Sequence, residues 1–68
     1  MDNTENNLNL IGEIIKKERE KNRWTQGDLA KEMQIDTSQI CKYENGTIPG
    51  TYNLYNLAVT LKISFDNL

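Results

Sequence analysis

Thr37, Ser38, Cys41, Lys42 and Asn45 recur at i, i+1, i+4, i+5 and i+8 along a stretch patterned as a short helix. That spacing gathers them on one face, made of short polar groups and one cation with no large apolar side chain. The chemistry on offer is hydrogen bonding rather than bond making. The Thr37 and Ser38 hydroxyls both donate and accept, and the Thr37 methyl can touch a thymine methyl. Lys42, one turn further on, can reach guanine O6/N7 or a phosphate. Gln39 has two uses open to it, bidentate bonding to adenine or closing a cap over Asp36. Asp36 in turn either caps the helix or accepts from a cytosine amino group. Cys41 is read as a small neutral residue beside these groups or as a redox switch, with Lys42 the one nearby cation able to lower its pKa. No catalytic set accompanies them. The chain has no histidine, no Gly-rich phosphate loop, no paired carboxylates in an evident pocket and little room for a substrate cavity. An enzyme is not expected.

Two short helical patterns position that face. Thr25 is an oxygen-bearing cap with Asp28 three residues on, a near capping box, and Leu29, Ala30 and Met33 then share one buried side. Only Gln34 to Asp36 separates this helix (Gln26 to Met33) from the next (Thr37 to Glu44), where Asp36 is the expected cap, Gln39 reaches back, and Ile40 and Tyr43 form the buried pair. Two helices joined by a tight turn, the second with a free polar face, make a helix-turn-helix, whose second helix enters the DNA major groove. Before them, Leu10 to Asn22 reads as a first helix with Ile11, Ile14 and Ile15 on its apolar side. After them, Asn45-Gly46 suits a left-handed helix end. Pro49-Gly50 opens a fourth helix with Thr51 in its first turn and Leu54, Leu57, Ala58 and Leu61 in the core. Ser64 caps a last turn in which Phe65 and Leu68 are apolar. Tyr52 and Tyr55 fall outside the core stripe; with Phe65 and Leu68 they are the candidate dimer interface, or they touch a DNA backbone.

Sixty-eight residues make one small domain, near the lower limit for a core without staples. One cysteine forms no internal disulfide, and without histidine no zinc set is plausible, so neither metal nor cofactor is expected. No apolar run approaches a membrane span and no signal peptide opens the chain, which reads as cytoplasmic. The net charge of −2 and pI near 4.9 count against a purely electrostatic nucleic-acid binder. Helix N-termini, backbone N–H groups and neutral side chains still grip phosphates, so specific contacts must contribute more than usual. Residues 1–9 are acidic and asparagine-rich and read as a disordered tail, leaving 10–68 as the domain. A minor-groove arm would want Arg or Lys, and the tail has neither.

Thr25-Gln-x-x-Leu-Ala30, Ile35 and Ile40-x-x-Tyr43-Glu44-Asn45-Gly46 closely resemble the Cro and phage-repressor (Xre) family, and the likeness runs from about Leu10 to Leu68. Departures are Trp24 where that family has Leu, Glu18 where an apolar residue is common, Gly27 inside the second helix, and a shorter link from Gly46 to Pro49. The resemblance implies an all-α, compact four- to five-helix bundle of the lambda-repressor-like type. It implies a sequence-specific regulator of transcription, most often a repressor, that binds double-stranded DNA as a homodimer on paired half-sites. The DNA-facing set it implies is Thr25, Gln26, Thr37, Ser38, Gln39, Lys42 and Asn45, with Thr37 and Ser38 projecting deepest. Gln26 is expected on a phosphate and against the start of the reading helix. Arg19 is expected to pair bidentately with Glu44. Trp24 is then a plug at the top of the core, with stacking on a base as its other use. The competing expectation keeps the fold but not the ligand: an antitoxin- or antirepressor-like module that binds a protein. A longer protein, of which this chain is the N-terminal domain, is also open.

Overall fold

The computed structural model describes the backbone of residues 3–63 and the side chains of residues 10–63. Four helices follow in order, α1 (Asn3–Lys21), α2 (Gln26–Met33), α3 (Thr37–Glu44) and α4 (Thr51–Leu61). The fold is all-helical and compact, with no strand among the described residues. Ile15, Leu29, Ile40 and Leu57, one from each helix, are wholly buried, and Ala30, Met33, Tyr43 and Leu61 complete the core. Leu54 and Ala58 are only half-buried, at the margin of the stripe expected of them. Phe65 and Leu68 lie outside the described residues.

Helix α1 begins at Asn3 rather than near Leu10, so the backbone of residues 3–9 is helical where a disordered tail was expected. These residues contain neither Gly nor Pro, and extending a helix already anchored through Ile15 adds a hydrogen bond per residue with no new nucleation cost.

Each helix ends in the same way. The pairs Trp24 N–H to Arg19 C=O with Arg23 to Glu20, and Ile35 to Ala30 with Gln34 to Lys31, are crossed bonds of a Schellman motif. Thr47 to Lys42 with Gly46 to Tyr43, and Ile63 to Ala58 with Lys62 to Val59, repeat it. The left-handed residues are Arg23, Gln34, Gly46 and Lys62; Asn45, expected to share that role with Gly46, stays at φ −97°. In three of the four motifs the next residue is a large apolar one, Trp24, Ile35 or Ile63, folded back against the core. Trp24 is thus half-buried as a plug. Its packing, together with that of Ile35 and Ile63, offsets the strain of a left-handed residue that is not glycine.

Gly12 sets how closely α1 crosses the end of α3. A methyl group there would sit 2.7 Å from the Tyr43 carbonyl oxygen and 2.8 Å from that of Glu44, both backbone atoms that cannot swing aside. In a free helix, Gly to Ala stabilises by roughly 0.5–1 kcal/mol. Here the sign reverses. Gly12→Ala is expected to cost about 1–3 kcal/mol in urea unfolding, the usual cost of overpacking; a raised midpoint would mean that α1 can withdraw from α3 freely.

Candidate nucleic-acid interface

The turn between α2 and α3 brings their first turns together. Thr25 and Asp28 form a full capping box, with the Thr25 N–H donating to Asp28 Oδ2 at 2.8 Å and the Asp28 N–H to Thr25 Oγ1 at 3.0 Å. A Cβ built on Gly27 would lie 3.7 Å from both Thr25 Oγ1 and Thr37 Oγ1, an ordinary contact distance. The two threonines therefore flank one shallow surface, and packing does not require glycine between them.

The Thr25 backbone N–H and then its hydroxyl hold the Asp28 carboxyl below its ordinary value of 3.8 against an opposing effect of burial, with Lys31 adding the smallest share. A carboxyl depressed on folding stabilises the fold above its unfolded pKa and loses that contribution as pH falls through the folded one. Asp28→Asn is therefore expected to melt below the wild type at neutral pH, with the gap closing at pH values well under 3.8. Parallel melts across that range check it, and a gap that persists in acid would assign the effect to something other than the carboxylate.

The start of α3 is not closed as expected. Asp36 is the cap by position and backbone angles, but its side chain makes no capping bond, and the Gln39 N–H goes to the Asp36 carbonyl instead. Thr25 and Asp28 are just as exposed and still close their box, but there the reciprocal acceptor is a carboxylate, whereas Gln39 offers only a neutral amide oxygen, a weaker acceptor. Thr37, Ser38, Cys41, Lys42 and Asn45 are all exposed. At about 100° per residue they cover an arc of about 140°. Half-buried Gln39 lies at its flank. Asn45 turns its amide back, donating to the Cys41 carbonyl at 2.8 Å and reaching Cys41 Sγ at 3.4 Å.

At the other border of this arc, about 20° round the helix from Thr37, the end of α3 is held by a polar cluster centred on Glu44. Arg19 from α1 forks onto it, Nε to Oε2 at 2.7 Å and Nη2 to Oε1 at 3.1 Å, while Nη1 donates to the Trp24 carbonyl at 2.7 Å. Gln26, at the start of α2, donates to Glu44 Oε1 at 3.1 Å. The glutamine thus braces the end of α3 rather than its start. The buried carboxylate of Glu44 is charged and so a strong acceptor for its amide. Side-chain exposure is only 10% for Arg19 and 5% for Glu44. The Glu44 hydrogen bond outweighs the opposing effect of burial and, with the nearby charges of Glu44 and Glu20, raises the Arg19 pKa above its ordinary value. Tyr43, facing the core, carries a further tie: Asn53 Nδ2 of α4 donates to its hydroxyl at 2.7 Å.

One helix presents a polar arc to solvent and is gripped from behind by three others, which is the arrangement of a helix-turn-helix domain. A family model described as helix-turn-helix matches residues 15–68. The chain belongs to that family, the Xre and lambda-repressor-like helix-turn-helix proteins. The family is one of DNA-binding transcription regulators. No curated protein and no solved structure matched the chain. Among the described residues no helix is long and apolar enough to cross a membrane.

Proposed function

We propose that this chain is a sequence-specific transcriptional repressor that reads operator half-sites with α3 in the major groove. The observation that carries the reading is the contrast between the two sides of α3. One holds Thr37, Ser38, Lys42 and Asn45 exposed, while the other is fixed by Ile40 and Tyr43, with the buried Glu44 cluster at the border between them. A rigidly held polar helix face is what base reading needs, since loosely held donors lose the entropy that binding must otherwise supply. Thr25 and Gln26 lie at the N-terminal turn of α2, where the helix dipole favours a phosphate. The second hydrogen of the Gln26 amide remains available for it. Bound in the cytoplasm as a homodimer on half-sites roughly 34 Å apart, such a protein represses by denying polymerase the promoter.

Low net charge supports a second reading, a protein-binding module on the same scaffold. Selection from a random duplex library at low salt separates the two. Enriched duplexes, whether palindromes or single half-sites, are the expected result. No enrichment would leave the protein-binding reading in its place.

A further inference from the structure

The turn from α1 into α2 carries a cation outside the reading surface described so far. The crossed bonds that end α1 hold Arg23 at φ 60° and fold Trp24 back onto the core, which leaves Arg23 exposed on the outer side of the turn. Among the described residues its guanidinium makes no ion pair, whereas Lys21, two positions earlier, pairs with Glu18 at 3.4 Å. Asp28, in the first turn of α2, spends its Oδ2 on the Thr25 N–H. We infer that Arg23 grips a phosphate of the DNA strand bordering the groove that α3 enters, an inference that rests on the DNA-reading role proposed above.

Left-handed backbone does not single Arg23 out, since Gln34 and Lys62 share it. Its surroundings do. The Trp24 carbonyl accepts from Arg19 Nη1 at 2.7 Å, and the same guanidinium grips Glu44 at the border of the exposed arc of α3. The Thr25 hydroxyl lies beside Gly27, as does that of Thr37, the first residue of the arc. The turn is thus fixed to the arc through the two residues that follow Arg23. Two peptide units separate Arg23 from Thr25, so their Cα atoms are no more than about 7.6 Å apart. A long side chain starting there stands beside the arc rather than on it, where a duplex presents its backbone and not its base edges. The planar fork of a guanidinium matches a phosphate. In a chain of net charge −2, a single such contact makes up a large share of the electrostatic attraction to DNA.

The test measures affinity for the selected duplex and for a scrambled one across a salt series, with wild type, Arg23→Gln, Arg23→Lys and Lys17→Gln. Lys17 is exposed and stands about 200° round α1 from Arg19, away from the grip on Glu44, so its variant loses the same charge at a distance from the arc. Arg23→Gln is expected to melt as wild type does and to bind both duplexes more weakly by the same factor. The slope of log affinity against log salt should become shallower by about 0.9, so the deficit shrinks roughly threefold between about 50 and about 200 mM salt. Arg23→Lys and Lys17→Gln should both keep the wild-type slope. An unchanged slope in Arg23→Gln, or an equal change in Lys17→Gln, overturns the phosphate contact while DNA reading stands. A loss confined to the selected duplex overturns it too, by making Arg23 a reader of bases. If wild type binds neither duplex, DNA reading fails and the contact falls with it.

Discussion

Replacing Glu44 by alanine is expected to unfold much of the protein at room temperature. The change leaves the Arg19 guanidinium in a nearly closed site with its fork of acceptors gone, and the Gln26 amide unpaired beside it. Removing one partner of a buried pair costs about 3–5 kcal/mol. The total stability of such domains is roughly 5–15 kcal/mol, and a chain this short belongs at the lower end. Guanidinium unfolding of Glu44→Ala measures it directly. A loss under about 1 kcal/mol would show that the pair behaves as an exposed one. Replacing Arg19 and Glu44 together by Met and Leu should recover part of the loss, because an apolar pair leaves no buried charge behind.

The second large effect falls on binding and leaves the fold alone. Thr37→Ala with Ser38→Ala removes two exposed hydroxyls that make no hydrogen bond within the described residues. Melting should therefore be unchanged. Discrimination between the selected operator and a scrambled duplex should fall by about 1–3 kcal/mol for each base that is no longer read. Competition binding at fixed salt reads this out. If the double variant keeps its full preference, the reading surface is not the exposed arc of α3.

How far the sequence could be read depended on the range of each interaction. The capping box at Thr25 and Asp28 and the buried pair Ile40 and Tyr43 rest on neighbours within one or two turns, so spacing alone revealed them. The ion pair of Arg19 with Glu44 spans 25 positions. No local pattern points to it, and only the family resemblance suggested it. Gln26 was placed against the wrong end of α3 because its partner is chosen by acceptor strength in the folded protein, which spacing does not encode. The Asp36 cap failed for a related reason: the pattern fits, but the neutral amide of Gln39 is a weaker acceptor than the carboxylate of Asp28. Gly12 and the Asn53–Tyr43 bond gave no sequence signal, since both exist only where two helices cross. Trp24 and Ile35 were partly legible, and Ile63 was not. Each follows a helix end, but the left-handed Arg23, Gln34 and Lys62 before them look like ordinary surface residues.

The two sides of α3 carry separate duties, and that separation bears on how such a protein can change. Ile40, Tyr43 and Glu44 hold the helix in place, while Thr37, Ser38, Cys41 and Lys42 are exposed and hold nothing together beyond their own helix. Substitutions in the second group leave stability almost untouched, so a new target sequence can be acquired through folded intermediates at every step. The scaffold is in that sense a socket: the exposed face of duplicated copies can drift while the residues that keep each one folded stay fixed.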